Sequence, residues 1–342
     1  MRSVRFHEQG APDVLRYEEA PEPVLAPGEV LVRVRACALN HLDLWARHGL
    51  PNVRIPMPHI SGSDVAGDVI ESAAAGVAIG RRVMLQPGLS CGRCEACLSG
   101  RDNECPHYEV LGYINHDGGY AERVKVPAEN LIDIPDEMDF VHAAAFPLTF
   151  QTAWHMLMTR AGLQRGEDVL VLAAGSGVGQ AAIQIASLHG ARVFATAGSH
   201  EKLERARELG AWDTIHHYEQ DIAEEIKRLT NRRGVDVVIE HVGEATWPQS
   251  VRSLARGGRL VTCGATTGRR GTLDLAALFS KRLSILGSYM GTKGELVRAA
   301  RHFFAGELKP VIDRTFPLAE AEAAQRRLEQ SGQFGKIVLE VQ

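Results

Sequence analysis

The sequence predicts an α/β protein in two parts, a β-rich N-terminal half and a doubly wound parallel sheet, and three observations carry that expectation. A short apolar run, Val169-Leu170-Val171-Leu172, leads through Ala173-Ala174-Gly175-Ser176-Gly177-Val178-Gly179 into a helical run from Gln180 to His189. Strand-like and helix-like segments then alternate to residue 288, the pattern of βαβ units with right-handed crossovers. Residues 1 to 90 instead hold alternating apolar runs separated by Pro and Gly clusters, the pattern of a partly open β-barrel.

Taken in order, Val4 to Phe6 reads as a short strand, and Glu29 to Ala36 alternates strictly. Asp64 to Glu71 and Gly80 to Leu85 give two further strands, with breaks at Pro21 to Pro27 and Pro51 to Pro58. Gly119 to Val126 and Leu131 to Ile134 return to strands, and helical sequence runs from Asp139 to Leu157, interrupted at Pro147. Arg192 to Ala197 is a strand; Ser199 caps a helix from His200 to Leu209 that Gly210 ends, and Asp221 caps another to Asn231. Val235 to Ile239, Gly258 to Gly264 and Leu283 to Ser288 read as strands, with a helix from Thr246 to Ala255. Beyond Lys293, two helical runs precede Lys336 to Val341, an apolar strand expected to return to the first domain.

A chain of 342 residues suits two domains, and 45% apolar and 23% charged residues are ordinary for a globular protein. The net charge of −4, with no basic block, argues against a nucleic-acid partner. Met1 to His7 lacks the apolar core of a signal peptide, so a cytoplasmic location is expected. The uncharged run Val169 to Ala191 contains glycines, Ser176, Gln180 and Gln184, which fit a buried strand and helix better than a membrane span.

Four of the six cysteines, Cys91, Cys94, Cys97 and Cys105, form a C-x2-C-x2-C-x7-C cluster. Without an export signal this spacing points to metal rather than disulfides. Four thiolates close a tetrahedral shell around one Zn²⁺, which makes the site structural and not catalytic. In the glycine turn, Gly177 and Gly179 lack a Cβ, so a phosphate could approach the backbone and the N–H groups of the following helix. The turn departs from G-x-G-x-x-G, since residue 180 is Gln, and also reads as A-x-x-G-x-G from Ala174; a tight turn in any parallel sheet is the competing reading.

Together, Gly62-Ser63-Asp64-Val65-Ala66-Gly67, Cys91 to Cys105, Ala173 to Gly179 and Gly335-Lys336-Ile337-Val338 resemble the medium-chain dehydrogenase/reductase superfamily over the whole chain. The resemblance implies a GroES-like catalytic domain over 1–150 and 289–342, carrying the zinc loop 91–105, and a Rossmann NAD(P)-binding domain over 151–288. It also implies hydride transfer in a cleft and a homo-oligomer, dimer or tetramer. The coenzyme-binding positions it implies are Thr152, Gly175, Ser176, Gly177, Val178, Gly179, Ser199, Lys202, Val242, Gly264 and Ser288.

Zinc alcohol dehydrogenases of this superfamily hold a second, catalytic Zn²⁺. At the matching positions this chain has Asn40 for the usual Cys, Ser63 for the usual His with Asp64 where Glu stands, and Leu148 for the third ligand. Such side chains cannot hold zinc in the usual tetrahedral arrangement. The chain is thus similar to the quinone oxidoreductase branch, with the structural zinc loop kept. A displaced metal on Cys37, His41, Asp43, His59 and Asp64 is the alternative, as in an alcohol dehydrogenase with altered ligands.

Ala197 ends the strand on which NAD-preferring folds place Asp or Glu. With Ser199 and Lys202 as donor and charge, this favours NADP(H) over NAD(H), although Ser199 also reads as a plain helix cap. The expected reaction is hydride transfer from NAD(P)H to a quinone, enone or related small carbonyl compound. Asn40 would donate to the acceptor oxygen, with His41 and Asp43 to donate or relay a proton; a turn or capping pair is the plainer reading of Asn40 and Asp43. A non-catalytic NADPH-binding protein is the remaining class.

Overall fold

The ten-residue strand Glu29–Ala38 organises the first of two units. In the computed structural model, which describes residues 1–342, that unit comprises Met1–Leu148 with Thr292–Gln342, and the second comprises Thr149–Gly291. Val30, Val32 and Val34 are buried on the strand while Arg33 is exposed, the alternation that β-branched residues favour on a half-buried pleated surface. The strand pairs antiparallel with Asp64–Ser72, Arg123–Pro127 and Lys336–Glu340. Arg82–Leu85 and Leu131–Asp133 extend the seven-stranded sheet on one side and Ile312–Pro317 on the other. The last strand thus pairs with the sheet of the N-terminal half. Val83, Leu85, Val124, Ile337 and Leu339 join the core beneath it, each such side chain contributing about 1.5–3 kcal/mol on full burial.

The strand expected from Gly119 begins only at Arg123. Upstream, Gly118, Gly119 and Tyr120 donate their N–H groups to Ile60, Gly62 and Ser61, so this backbone braces a loop before entering the ladder. Arg16–Glu19 pairs with Arg2–Arg5 and Ile312–Pro317 with Lys336–Glu340 although both lack apolar alternation, being polar edge strands.

The second unit is a six-stranded parallel sheet in the order Asp213–His216, Arg192–Ala197, Asp168–Val171, Val235–Glu240, Leu254–Thr262, Ser284–Gly287. Asp168–Val171 is buried throughout, as expected of a strand covered on both faces. Arg192 grips the Asp168 carboxylate with two bonds of 2.6 and 2.7 Å, and Arg233 adds a third at 2.7 Å.

Further elements differ from expectation. The helix over Thr246 to Ala255 is Trp247–Arg252, and Leu254 and Ala255 open the next strand because Leu254 registers against Val235. Asp213–His216 is a strand whose half-polar sequence hides it, and Leu275–Lys281 is a helix capped by Asp274, which accepts from the Ala276 and Ala277 N–H groups. The helical stretch after Asp139 divides into Phe140–Ala145, Pro147–Trp154 and a π-helical turn, His155–Arg160. No helix is long and apolar enough to cross a membrane.

Candidate active site and zinc site

In the second unit most expected coenzyme positions gather at one edge of the sheet. Gly175 to Gly179 follow Asp168–Val171, Ser199 and Lys202 follow Arg192–Ala197, Val242 follows Val235–Glu240, Gly264 follows Leu254–Thr262, and Ser288 follows Ser284–Gly287. All are at C-terminal strand ends, where open parallel sheets bind ligands, and strand order reverses at Asp168–Val171. Thr152 is placed differently, within the helix Pro147–Trp154, and is 5% exposed.

The turn itself corrects one expectation. Ser176 caps the helix Gly177–Leu188 by accepting the Gly179 N–H at 2.8 Å, so that donor is used within the turn. A Cβ on Gly179 would stand 2.3 Å from the Ala173 carbonyl oxygen, so glycine is required there by the turn's own packing. Beneath the turn, His241 places Nε2 3.0 Å from the Leu172 carbonyl and 3.3 Å from Ser176 Oγ, and burial holds its pKa below the ordinary value. The buried Glu240 carboxylate accepts from Val242 and Gly243 N–H groups and from the Thr246 and Ser250 hydroxyls, at 2.6 to 3.0 Å. It fixes the loop that carries Val242.

At the end of Arg192–Ala197, the buried Ala197 offers no carboxylate. Ser199 Oγ accepts the Lys202 N–H at 3.4 Å, confirming the cap. His217, absent from the expected set, stands beside them: burial, then the charges of His216 and Lys202, hold it below the ordinary histidine value. Its Nδ1 is 3.5 Å from Thr196 Oγ1.

The four cysteines of the first unit converge, with sulfurs within 4.8 Å of one another. Cys94 and Cys97 Sγ are 3.5 Å apart, Cys91 and Cys97 Sγ 4.0 Å, bracketing the ~3.8 Å edge of a tetrahedron with Zn–S bonds of about 2.3 Å. Backbone N–H groups of Cys91 and His107 point at Cys105 Sγ at 3.5 and 3.4 Å. Those of Arg93 and Cys94 pull the Cys91 thiol down to about 6. These residues fit Zn²⁺, which would cross-link a loop whose only regular elements are short turns of helix.

The other polar cluster of the unit is buried. Lys336 Nζ donates to Asn40 Oδ1 at 2.6 Å and to Asp64 Oδ2 at 2.9 Å; Asn40 Nδ2 donates to the same Asp64 oxygen at 2.9 Å and, at 3.4 Å, to the Ala38 carbonyl. Asp64 Oδ1 accepts the Leu148 N–H at 2.8 Å. Asn40 is 6% exposed, Asp64 0% and Lys336 2%, so three polar groups satisfy one another away from water. Both amide protons of Asn40 are therefore used inside the protein, not presented to an acceptor oxygen.

Asp43 also departs from the proton-relay expectation. Fully buried, it accepts from the N–H groups of Asn40 and Gly62 at 2.8 and 3.1 Å and from the Tyr120 hydroxyl at 3.1 Å. Burial pushes its pKa up to about 6 against the pull of those donors and of Lys336. Asp43 positions the Asn40 turn at the start of the helix His41–His48. His41, partly exposed, turns its ring toward Trp45, centroids 6.4 Å apart.

A catalytic zinc does not fit these residues. Asn40 and Asp64 are tied to an ammonium, Ser63 is buried with its hydroxyl unpartnered, and Leu148 has no donor atom in its side chain. The displaced set fares no better: Asp43 is committed to three donors and His59 Nε2 lies 3.3 Å from the Gly112 carbonyl. Burial, then the charges of Asp43 and Asp64, raise the Cys37 thiol well above its ordinary value, which disfavours thiolate ligation. Lys336 was missed because it opens an apolar strand; a lysine in a buried run, which must be paired, was the available signal.

Residues 26–136 match the alcohol dehydrogenase GroES-like domain family, and residues 177–305 the zinc-binding dehydrogenase family. Human quinone oxidoreductase is 31% identical over 99% of this chain and 97% of its own length. An alcohol dehydrogenase of Geobacillus stearothermophilus is 33% identical over 96% of both chains. A crystal structure titled NAD-dependent alcohol dehydrogenase superposes with a TM-score of 0.96 at 47% identity over 100% of both chains. The chain belongs to the medium-chain dehydrogenase/reductase superfamily and is an NAD(P)-dependent oxidoreductase of that family.

Proposed function

We propose that the protein is an NADPH-dependent reductase of quinones, enones or related conjugated carbonyl compounds, with one structural zinc and no catalytic zinc. The observation that carries this reading is the buried Asn40–Asp64–Lys336 cluster, in which an ammonium is bonded to Asn40, at one of the metal-ligand positions, and to Asp64, next to Ser63 at another. NADPH, when bound, supplies the hydride. Lys336 uses two of its three N–H groups on Asn40 and Asp64 and places a positive charge in that cluster. Conjugation in the acceptor spreads developing charge, so such a substrate needs less electrophilic activation than an isolated ketone. His41 is the partly exposed group able to deliver a proton.

The NADP preference rests on Ala197, which leaves the end of Arg192–Ala197 without the ribose-binding carboxylate, and on Ser199 and Lys202, which bring a donor and a charge, with His217 beside them. A cytoplasmic homo-oligomer, dimer or tetramer, belongs to the same reading. Alcohol oxidation with NAD is the second reading, favoured by the 47%-identical structure titled as an NAD-dependent alcohol dehydrogenase.

One assay separates the two: coenzyme oxidation across quinones, enones, aldehydes and ketones, and reduction across alcohols, each with and without a chelator. We expect quinone or enone reduction that brief chelation leaves intact, and a lower KM for NADPH than for NADH. Chelator-sensitive alcohol oxidation with NAD would overturn the proposal, and NADPH binding without turnover on any substrate would mark a non-catalytic binding protein.

A further inference from the structure

The outer edge of the second unit's sheet carries His200, His216 and Glu219, whose ligand atoms all lie within 4.8 Å of one another. Glu219 Oε2 is 3.7 Å from His200 Nε2, and Glu219 Oε1 is 3.6 Å from His216 Nε2. Both separations exceed the ~2.7–3.2 Å of a hydrogen bond. They lie close to the ~3.4 Å between two ligands of a tetrahedral ion whose bonds are about 2.0–2.1 Å.

The backbone fixes this spacing. His216 ends the strand Asp213–His216 in register with Ala197, and its N–H donates to Gln220 Oε1 at 2.9 Å. The Glu219 N–H donates to the His216 carbonyl at 3.0 Å, closing a tight turn that brings the carboxylate back over the ring. His200 opens the helix capped by Ser199, so adjacent strands deliver the two imidazoles side by side, with centroids 5.0 Å apart. His216 is only 7% exposed, and the nitrogen it turns toward Glu219 is Nε2, while the unpartnered Nδ1 faces inward.

We propose that His200, His216 and Glu219 form a second divalent transition-metal site, separate from the four-cysteine site. Two imidazoles and a carboxylate suit Zn²⁺, Co²⁺, Ni²⁺ or Cu²⁺ and leave one coordination position open. His200 and Glu219 have side chains 77% and 58% exposed, so the site exchanges its ion with solvent.

The test titrates untagged protein, with zinc filling the cysteine site, with Co²⁺, followed by visible absorption and equilibrium dialysis. The expected result is about one Co²⁺ per chain bound beyond the zinc, with d–d absorption and no thiolate-to-cobalt charge transfer. His200→Ala and Glu219→Gln should each weaken binding at least ~10-fold while zinc content stays unchanged. Because both residues are exposed, these variants decide the matter even where His216→Ala fails to fold. The proposal is overturned if wild-type protein binds no extra cobalt, if cobalt enters only with charge transfer, if these variants bind as tightly as wild type, or if His302→Ala, at an unrelated half-buried histidine, weakens binding as much.

Discussion

The cysteine loop and the Asn40–Asp64–Lys336 cluster belong to the same unit, yet they satisfy their polar atoms in opposite ways. The loop gathers four partly exposed or buried sulfurs that have little to bond but one another and a few backbone N–H groups, a donor set completed by a soft cation. The cluster gathers a carboxylate, an amide and an ammonium in a dry interior, where each closes on the next. A metal site is thus recognised less by which residues approach than by what else those residues are already bonded to. Asp64 approaches a ligand position and is spoken for; Cys97 is not.

Replacing one thiolate gives the largest expected effect. Cys91→Ser should lower zinc from about one ion per chain to none, since each ligand is needed to close the shell and structural zinc binds with about 10–16 kcal/mol in small peptides. Elemental analysis reads this directly, and two tightly held zincs in wild-type protein would contradict the contrast drawn here.

Lys336→Met comes next. It strands Asp64 and Asn40 without their cation and should cost about 3–5 kcal/mol, read from urea midpoints, while zinc content stays at its wild-type level. Loss of zinc in this variant would show that the two clusters are one cooperative site.

The smallest effect is a pH dependence at Asp43. Its folded pKa of about 6 lies above the ordinary 3.8, so the folded state holds the proton more tightly than the unfolded chain. Its contribution is then fully present below 3.8 and is lost as pH rises through about 6. The stability difference between wild type and Asp43→Asn, which does not titrate, should fall by about 2 kcal/mol from about pH 4 to 6. A difference that stays constant would place the Asp43 pKa near its ordinary value.

Much of this was legible in advance because it depends on local pattern. The apolar run at Val169, the caps Ser199 and Asp221, and the cysteine spacing each express a rule that operates over a few residues. What stayed hidden depends on partners distant in the chain. Asn40 reads locally as a cap or a donor, and only Lys336, 296 residues later, decides which atoms of its amide are used. Gly179 invited a phosphate-contact reading, whereas the Ala173 carbonyl decides it. His216 and His217 went unnoticed because the first ends, and the second follows, a short, half-polar strand that no periodicity announces.

The pairing of Lys336–Glu340 with Glu29–Ala38 also sets an order of events during synthesis. Most of the first unit's sheet can assemble while the second unit is still being translated, but its buried polar cluster lacks its cation until Lys336 has been added. A nascent chain stalled before Lys336 would expose an uncompensated carboxylate at Asp64. The unit is thus left open until Lys336 arrives, and a product truncated before it carries a built-in mark of the missing strand.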